Sequence, residues 1–321
     1  MSRWILVPLF LLLTVTGVHA QEVTPEVSPS LISGGLERTY RLHVPEDLTQ
    51  PAPLVIVLHG RGGTGRHIEG YTGFDELADR EGFIAAYPDG LNNEWNYVHN
   101  IIGYSDTHDD IAFLIALVDQ IAQDYAVDLS RVYIAGFSNG GFMAERVACE
   151  NPTRFAAFAS VSAAGFGGML DVCQKAGTVS APMLLIHGTA DDNVPWTGLG
   201  STHGDQTIYV LYPVPDTLGY WAEFNGCQGK AETTDLPELG DSPGTSVRIL
   251  TVDCPSDASV MLYGVIGGGH NWPGKAEGIP AQIAGQVNLD FDATEVIWDF
   301  FAQHQRLQST PEATEEAPNS P

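Results

Sequence analysis

Basic side chains are scarce in this chain: 14 Lys and Arg stand against 40 Asp and Glu, a net charge of −26. Nucleic acid and anionic membrane surfaces are repelled by that balance, so neither is expected as a partner. Cysteine is scarce too, with 4 residues and no CxxC spacing, which argues against a zinc site. No metal and no cofactor is expected. An apolar run long enough to cross a bilayer is also missing, since the one at residues 4–15 falls short of the roughly 20 residues a spanning helix needs. Nor does any low-complexity linker interrupt the middle of the chain, so a single globular domain is expected.

The ends read differently from the middle. Residues 1–20 combine Arg3, the apolar run and the small-residue exit Gly17-Val18-His19-Ala20, the pattern of a secretory signal cleaved after Ala20. Residues 21–35 are polar and Pro-containing and read as a flexible leader, residues 36–305 as the catalytic domain, and the acidic stretch 306–321 as a tail too polar to bury anything. A secreted, extracellular or periplasmic protein meets an oxidising compartment, where an even number of cysteines favours disulfides. Cys149, Cys173, Cys227 and Cys254 permit three pairings; the modest loops closed by Cys149–Cys173 and Cys227–Cys254 make that pairing the preferred one.

Short buried-strand patterns recur at residues 38–44, 53–58, 83–87, 132–135, 158–161, 183–186 and 260–265. Helical periods lie between them: one from Asp110 with Ile111, Ile115, Val118, Ala122 and Tyr125 on a stripe and Thr107 or Asp109 as its cap, one after Ser138, and two near residues 217–224 and 293–304. Alternation of this kind predicts an α/β fold, a mostly parallel central sheet with helices on both faces. Ligands then bind at the carboxyl ends of the strands. His59, Ser138, Asp191 and His270 each closely follow a predicted strand.

Gly136-Phe137-Ser138-Asn139-Gly140 is a GxSxG sequence set between a strand and a helix, a tight turn that projects the serine oxygen above the sheet. A serine hydroxyl needs a base, and the base needs a group that orients it and stabilises its cation. The chain order Ser, acid, His points to Asp191, with Asp192 as the fallback, and to His270 on the loop Gly267-Gly268-Gly269-His270. Backbone donors for an oxyanion are expected from Asn139 and from the His59-Gly60-Arg61-Gly62-Gly63 loop, with Arg61 preferred over Gly62. Trp272 beside His270, with Trp95, suggests an aromatic wall for substrate, and His59 a residue that lines the pocket or supports the turn.

LHGRGGTG (58–65), DDIAFLIALVD (109–119), RVYIAGFSNGGFMA (131–144), CENPTRFAAFASVSA (149–163), HGTADDNVPW (187–196) and GGGHNWPG (267–274) together resemble the secreted polyhydroxybutyrate depolymerase and feruloyl esterase family of α/β-hydrolases. The resemblance implies an α/β-hydrolase fold and a serine carboxylesterase acting through an acyl-enzyme, with Asp191 as triad acid, His270 as base and Trp272 in the acyl or alcohol pocket. Arg61 departs from the small residue or Cys usual after HG in that family. Without a second substrate-binding domain, soluble esters are favoured over insoluble polymer: hydroxycinnamoyl or acetyl groups on polysaccharide fragments, or hydroxyalkanoate oligomers. A serine peptidase on the same fold would use the same triad, and acyl transfer to an alcohol the same residues. A non-catalytic binding module would be expected to lack a triad member, whereas all three candidates are present.

Overall fold

A computed structural model describes residues 28–97, 108–167, 169, 173, 179–203, 206–240, 242–276 and 281–306. The expected signal segment (residues 1–20), residues 21–27 of the expected leader, Thr107 and residues 307–321 of the expected tail lie outside them.

The strands are β1 (Ser30–Ser33), β2 (Leu36–His43), β3 (Ala52–Leu58), β4 (Ile84–Pro88), β5 (Val127–Phe137), β6 (Ala157–Val161), β7 (Met183–Gly188), β8 (Leu199–His203), β9 (Gln206–Leu211), β10 (Glu232–Asp235), β11 (Ser246–Thr251) and β12 (Val260–Ile266). Ten of them form one sheet in the order β1-β2-β4-β3-β5-β6-β7-β12-β11-β10, and β8 pairs with β9 in a separate hairpin. From β4 to β12 the pairing is parallel, while β1, β2, β10 and β11 are antiparallel additions at the two edges. The fold is the α/β arrangement expected. β3 and β6 are buried along their whole length because helices cover both faces, which is why they read as continuous apolar runs rather than alternating ones.

The described helices are α1 (Gly65–Thr72), α2 (Phe74–Glu81), α3 (Asp110–Asp124), α4 (Asn139–Glu150), α5 (Val214–Phe224), α6 (Ala281–Ala284) and α7 (Ala293–Phe301). Asp109 caps α3 by accepting from Ala112 N at 2.9 Å. The buried face of α3 is wider than the predicted stripe: Phe113, Leu114, Leu117 and Ile121 are buried with Ile111 and Val118, whereas Ile115 and Ala122 are only half-buried. Two apolar layers result, one on each face of the sheet, with Trp221 in the first and Trp272 in the second.

The leader is shorter than expected. Ser30–Ser33 pairs antiparallel with β2 in register from Ser30 opposite Thr39 to Ser33 opposite Leu36, so the domain begins before residue 36. A four-residue edge strand carries too little periodicity to stand out from a polar leader; only its partner reveals it. Helices α1 and α2, the β8–β9 hairpin and the edge strands β10 and β11 likewise gave no pattern strong enough to predict.

Cys149 pairs with Cys173 and Cys227 with Cys254, at Cα separations of 4.6 and 4.0 Å, the preferred connectivity. Among the described residues, no helix is long and apolar enough to cross a membrane, and no group of three or more His, Cys, Asp or Glu could hold a metal ion.

Candidate active site

The turn from β5 to α4 holds Ser138 at φ 53, ψ −117, a conformation that L-residues rarely adopt and that costs on the order of 1–3 kcal/mol. Its neighbours impose it. Ser138 N donates to Val161 O at 2.8 Å, and Ser138 O accepts from Phe142 N at 3.0 Å. The flanking glycines are needed for space: a Cβ on Gly136 would lie 2.1 Å from Gly140 O, and one on Gly140 would lie 2.4 Å from Leu58 O. Helix α4 can therefore start directly over the strand end, with the half-exposed Ser138 above it.

Asp191 and His270 reach each other because β7 and β12 are parallel neighbours and the loops after them are bonded together. Thr189 N donates to Val265 O at 2.8 Å, Ala190 N to Gly268 O at 2.8 Å, and Gly267 N to Thr189 Oγ1 at 2.9 Å. A Cβ on Gly188 would meet Gly268 O at 2.3 Å, so the contact is backbone against backbone. Asn271 anchors the His270 loop from behind, with Nδ2 within 3.2 Å of the carbonyls of Ala284, Gly285 and Gln286. Ser162 Oγ donates to Asn271 O at 3.1 Å.

Within this frame His270 Nδ1 lies 2.7 Å from Asp191 Oδ2. The other carboxylate oxygen, Oδ1, accepts from Asn193 N and Val194 N, both at 2.8 Å. Those two amides and the imidazole fix a buried carboxylate in one orientation. Asp192, the fallback, is exposed to solvent instead. His187 lies beneath, its Nε2 2.8 Å from Val194 O and 3.6 Å from Asp191 Oδ2, and burial pushes its pKa down.

Ser138, Asn139 and His270 line one pocket of ≈ 470 Å³ together with Gly60, Arg61 and an apolar side that includes Tyr97, Phe142 and Leu211. The two backbone groups expected to face an oxyanion, those of Arg61 and Asn139, thus belong to residues of the same pocket as the serine.

Three residues expected to contact substrate are placed elsewhere. Trp272 is fully buried behind His270, edge-on to Phe74 and Phe137, with Nε1 donating to Thr294 Oγ1 at 3.0 Å. Its indole fills the space under the loop, where apolar area is removed from water, and leaves none for a ligand. Trp95 is 3% exposed; Nε1 donates to His59 O at 3.0 Å and its ring stacks on Phe113. His59, also buried, has Nδ1 2.8 Å from Gly60 O and accepts from Gly90 N at Nε2, which makes it a neutral brace for the turn; burial lowers its pKa. An aromatic wall does exist, but Tyr97 and Phe142 make it, stacked at 4.7 Å with Phe166 edge-on to both. Phe142 was visible on the predicted helix after Ser138; Tyr97 lies in an irregular loop that offered no signal.

A family model described as esterase PHB depolymerase matches residues 38–208. The chain is 28% identical to feruloyl esterase C of Emericella nidulans, covering 82% of this chain and 83% of that protein. It is 31% identical to a protein of Aspergillus niger named probable feruloyl esterase C, over 94% of this chain and 99% of the other. Among solved structures, acetyl xylan esterase from Aspergillus awamori superposes with a TM-score of 0.58 at 17% identity, covering 83% of this chain and 94% of that one, a likeness of fold.

Proposed function

The chain belongs to the PHB-depolymerase esterase family, and from that premise we propose that it is a secreted serine carboxylesterase that cleaves hydroxycinnamoyl or acetyl esters of polysaccharide fragments through an acyl-enzyme. Ser138 is the nucleophile, His270 the general base and Asp191 its orienting acid. One observation carries the reading: the 2.7 Å bond between His270 Nδ1 and Asp191 Oδ2, at a pocket that also holds Ser138 on its strained turn.

With Nδ1 committed to Asp191, the Nε2 of His270 is left to take the Ser138 proton as Oγ attacks the ester carbonyl. The backbone N–H groups of Asn139 and Arg61 stabilise the oxyanion of the tetrahedral intermediate. Its collapse expels the sugar alcohol, which leaves with the proton from His270, and the acyl group stays on Ser138. Water, deprotonated by His270, then attacks the acyl-enzyme carbonyl; the bond to Ser138 Oγ breaks, His270 returns the proton to that oxygen, and the acid is released. Tyr97 and Phe142, stacked on each other, give the pocket an aromatic side, which suits a hydroxycinnamoyl ring. The two disulfides and the signal pattern of residues 1–20 support secretion.

Labelling with a fluorophosphonate, peptide mapping and a panel of methyl hydroxycinnamates, acetylated oligosaccharides and hydroxyalkanoate oligomers tests the proposal. Modification of Ser138 and turnover of the first two classes are expected. Label on another residue, or no ester hydrolysis, overturns it.

A further inference from the structure

The catalytic pocket has two unlike flanks, and contacts around its rim set their order. His270 lies against Phe137, ring centroids 5.0 Å apart, and bonds to Asp191, whose Oδ1 holds the amides of Asn193 and Val194. The loop carrying those two residues runs on to Trp196, whose carbonyl accepts from Val214 N at 3.0 Å, just beyond the end of β9 where Leu211 lines the pocket. Leu211 bridges to Phe166, and Phe166 stands edge-on to Tyr97 and Phe142. His270, Phe137, Asn193 and Val194 therefore make one flank, and Tyr97 and Phe142 lie beyond Leu211 on the other.

The chemistry of ester cleavage assigns the two flanks. The leaving oxygen must reach His270 Nε2 to receive its proton, so the alcohol half lies on the His270 flank and the acyl half takes the aromatic one. Beside His270, Phe137 and Val194 offer only carbon side chains, whereas Asn193 brings a side-chain donor and acceptor that the reaction does not use. Two features make that carboxamide available to a ligand. The backbone N–H of Asn193 is bonded to Asp191 Oδ1 at 2.8 Å, so the residue keeps a fixed position relative to the Asp191–His270 pair. Asn193 is exposed, and its side chain has no hydrogen-bond partner among the described residues. Other polar side chains of the pocket are committed: Asn139 spends both ends of its amide on Trp95, and Arg61 pairs with Glu94.

We propose that the carboxamide of Asn193 binds hydroxyl groups of the sugar that carries the ester, and so selects sugar esters over simple alkyl esters. A carboxamide offers one acceptor oxygen and two N–H donors, a match for neighbouring sugar hydroxyls, each of which donates and accepts. The proposal rests on the polysaccharide-ester reading above and extends it from the acyl group to the alcohol.

Two esters with the same acyl group, methyl ferulate and the ferulate ester of an arabinoxylan oligosaccharide, separate the alcohol side from the acyl side. In Asn193→Ala, which keeps the backbone N–H on Asp191, kcat/KM for the sugar ester is expected to fall about fivefold further than for methyl ferulate, as loss of one hydrogen bond implies. Most of that difference should appear in KM, because the contact is made in the ground state and the transition state alike. Deacylation of the feruloyl-enzyme, measured after the alcohol has left, depends on Asp191 and His270 without the sugar. An equal fall for both esters, or deacylation slowed as much as the sugar ester's kcat/KM, makes Asn193 a support for the Asp191 loop and overturns the subsite. A wild type that hydrolyses methyl ferulate but not the sugar ester overturns the subsite alone, and one that hydrolyses neither overturns the esterase reading itself.

Discussion

The side-chain amide of Asn139 grips the backbone of Trp95 at both ends: Oδ1 accepts from Trp95 N at 2.7 Å and Nδ2 donates to Trp95 O at 3.3 Å. Trp95 in turn holds the His59 carbonyl through its indole N–H, so the residue after Ser138 is tied to the loop that carries Arg61. Asn139→Ala leaves a buried amide of Trp95 unpaired. The expected cost is about 1–3 kcal/mol of stability. A fall in kcat of about tenfold should accompany it, larger than the change in KM, because loosening the loop weakens contacts made to the oxyanion. Denaturant melts and steady-state kinetics check both; an unchanged kcat would detach this clamp from catalysis.

Ser138→Ala and His270→Ala are each expected to lower ester turnover by about 10³-fold or more with the fold intact, since each removes one member of a unit that acts together. Asp191→Asn should be nearly as damaging, while Asp192→Asn, altering an exposed carboxylate, should be close to neutral. A damaging Asp192 variant with an active Asp191 variant would reverse the assignment.

The acyl preference is expected to lie with the Tyr97–Phe142 stack. Phe142→Ala should reduce kcat/KM for a hydroxycinnamate more than for an acetate, by roughly fivefold in the ratio, for a stacking contribution of about 1 kcal/mol. Trp272→Ala, by contrast, empties a fully buried site and should cost about 3–5 kcal/mol of stability while lowering both esters alike. Melting curves of the two variants, read beside an ester panel, separate packing from substrate contact.

Glu145 supplies a pH signature for stability. It is fully buried on α4, accepting from Ser160 Oγ at 2.8 Å and Trp221 Nε1 at 3.3 Å, and burial pushes its pKa up from 4.5 to about 7. The folded state therefore holds this proton more tightly than the unfolded chain. Below about pH 4.5 both states are protonated and the group is neutral to stability; as pH rises towards 7 the unfolded chain ionises first, and stability falls by up to about 3 kcal/mol. Buried His59, His187 and His304, with lowered pKa values, act in the opposite direction below about pH 6.5, so the Glu145 contribution is read as a difference. Relative to Glu145→Gln, the wild type should lose stability between pH 5 and pH 8; parallel curves would refute a buried proton at this position.

Each disulfide closes a loop of modest size, and the 27-residue separation of Cys227 and Cys254 corresponds to about 3.5 kcal/mol of constraint on the unfolded chain. Intact mass of the folded protein should reveal no free thiol. The double variant Cys227→Ala/Cys254→Ala should lose about that much unfolding free energy and so unfold at a lower denaturant midpoint, and an unchanged midpoint would mean that the bond adds no constraint.

Much of this molecule was legible in its residues. The parallel core strands could be read because strands covered on both faces must be apolar throughout, and the serine turn because its geometry admits only glycine at Gly136 and Gly140. Chain order and strand-end position singled out Ser138, Asp191 and His270 as candidates, and the structure brings them to one place, His270 bonded to Asp191 and sharing a pocket with Ser138, since the topology of such a sheet sends strand-end loops to the same edge. What sequence could not decide was direction and depth. Trp272 and Trp95 sit beside the right residues in the chain, yet adjacency along a loop does not say which way an indole points, and both turn inward where burial is most favourable. Tyr97 reaches the pocket from an irregular loop, and β1 is defined only by the strand it pairs with. Local pattern determined which elements form and which chemistry the chain carries; the tertiary structure alone decided which side chains share a pocket, because that follows from packing between segments far apart in sequence.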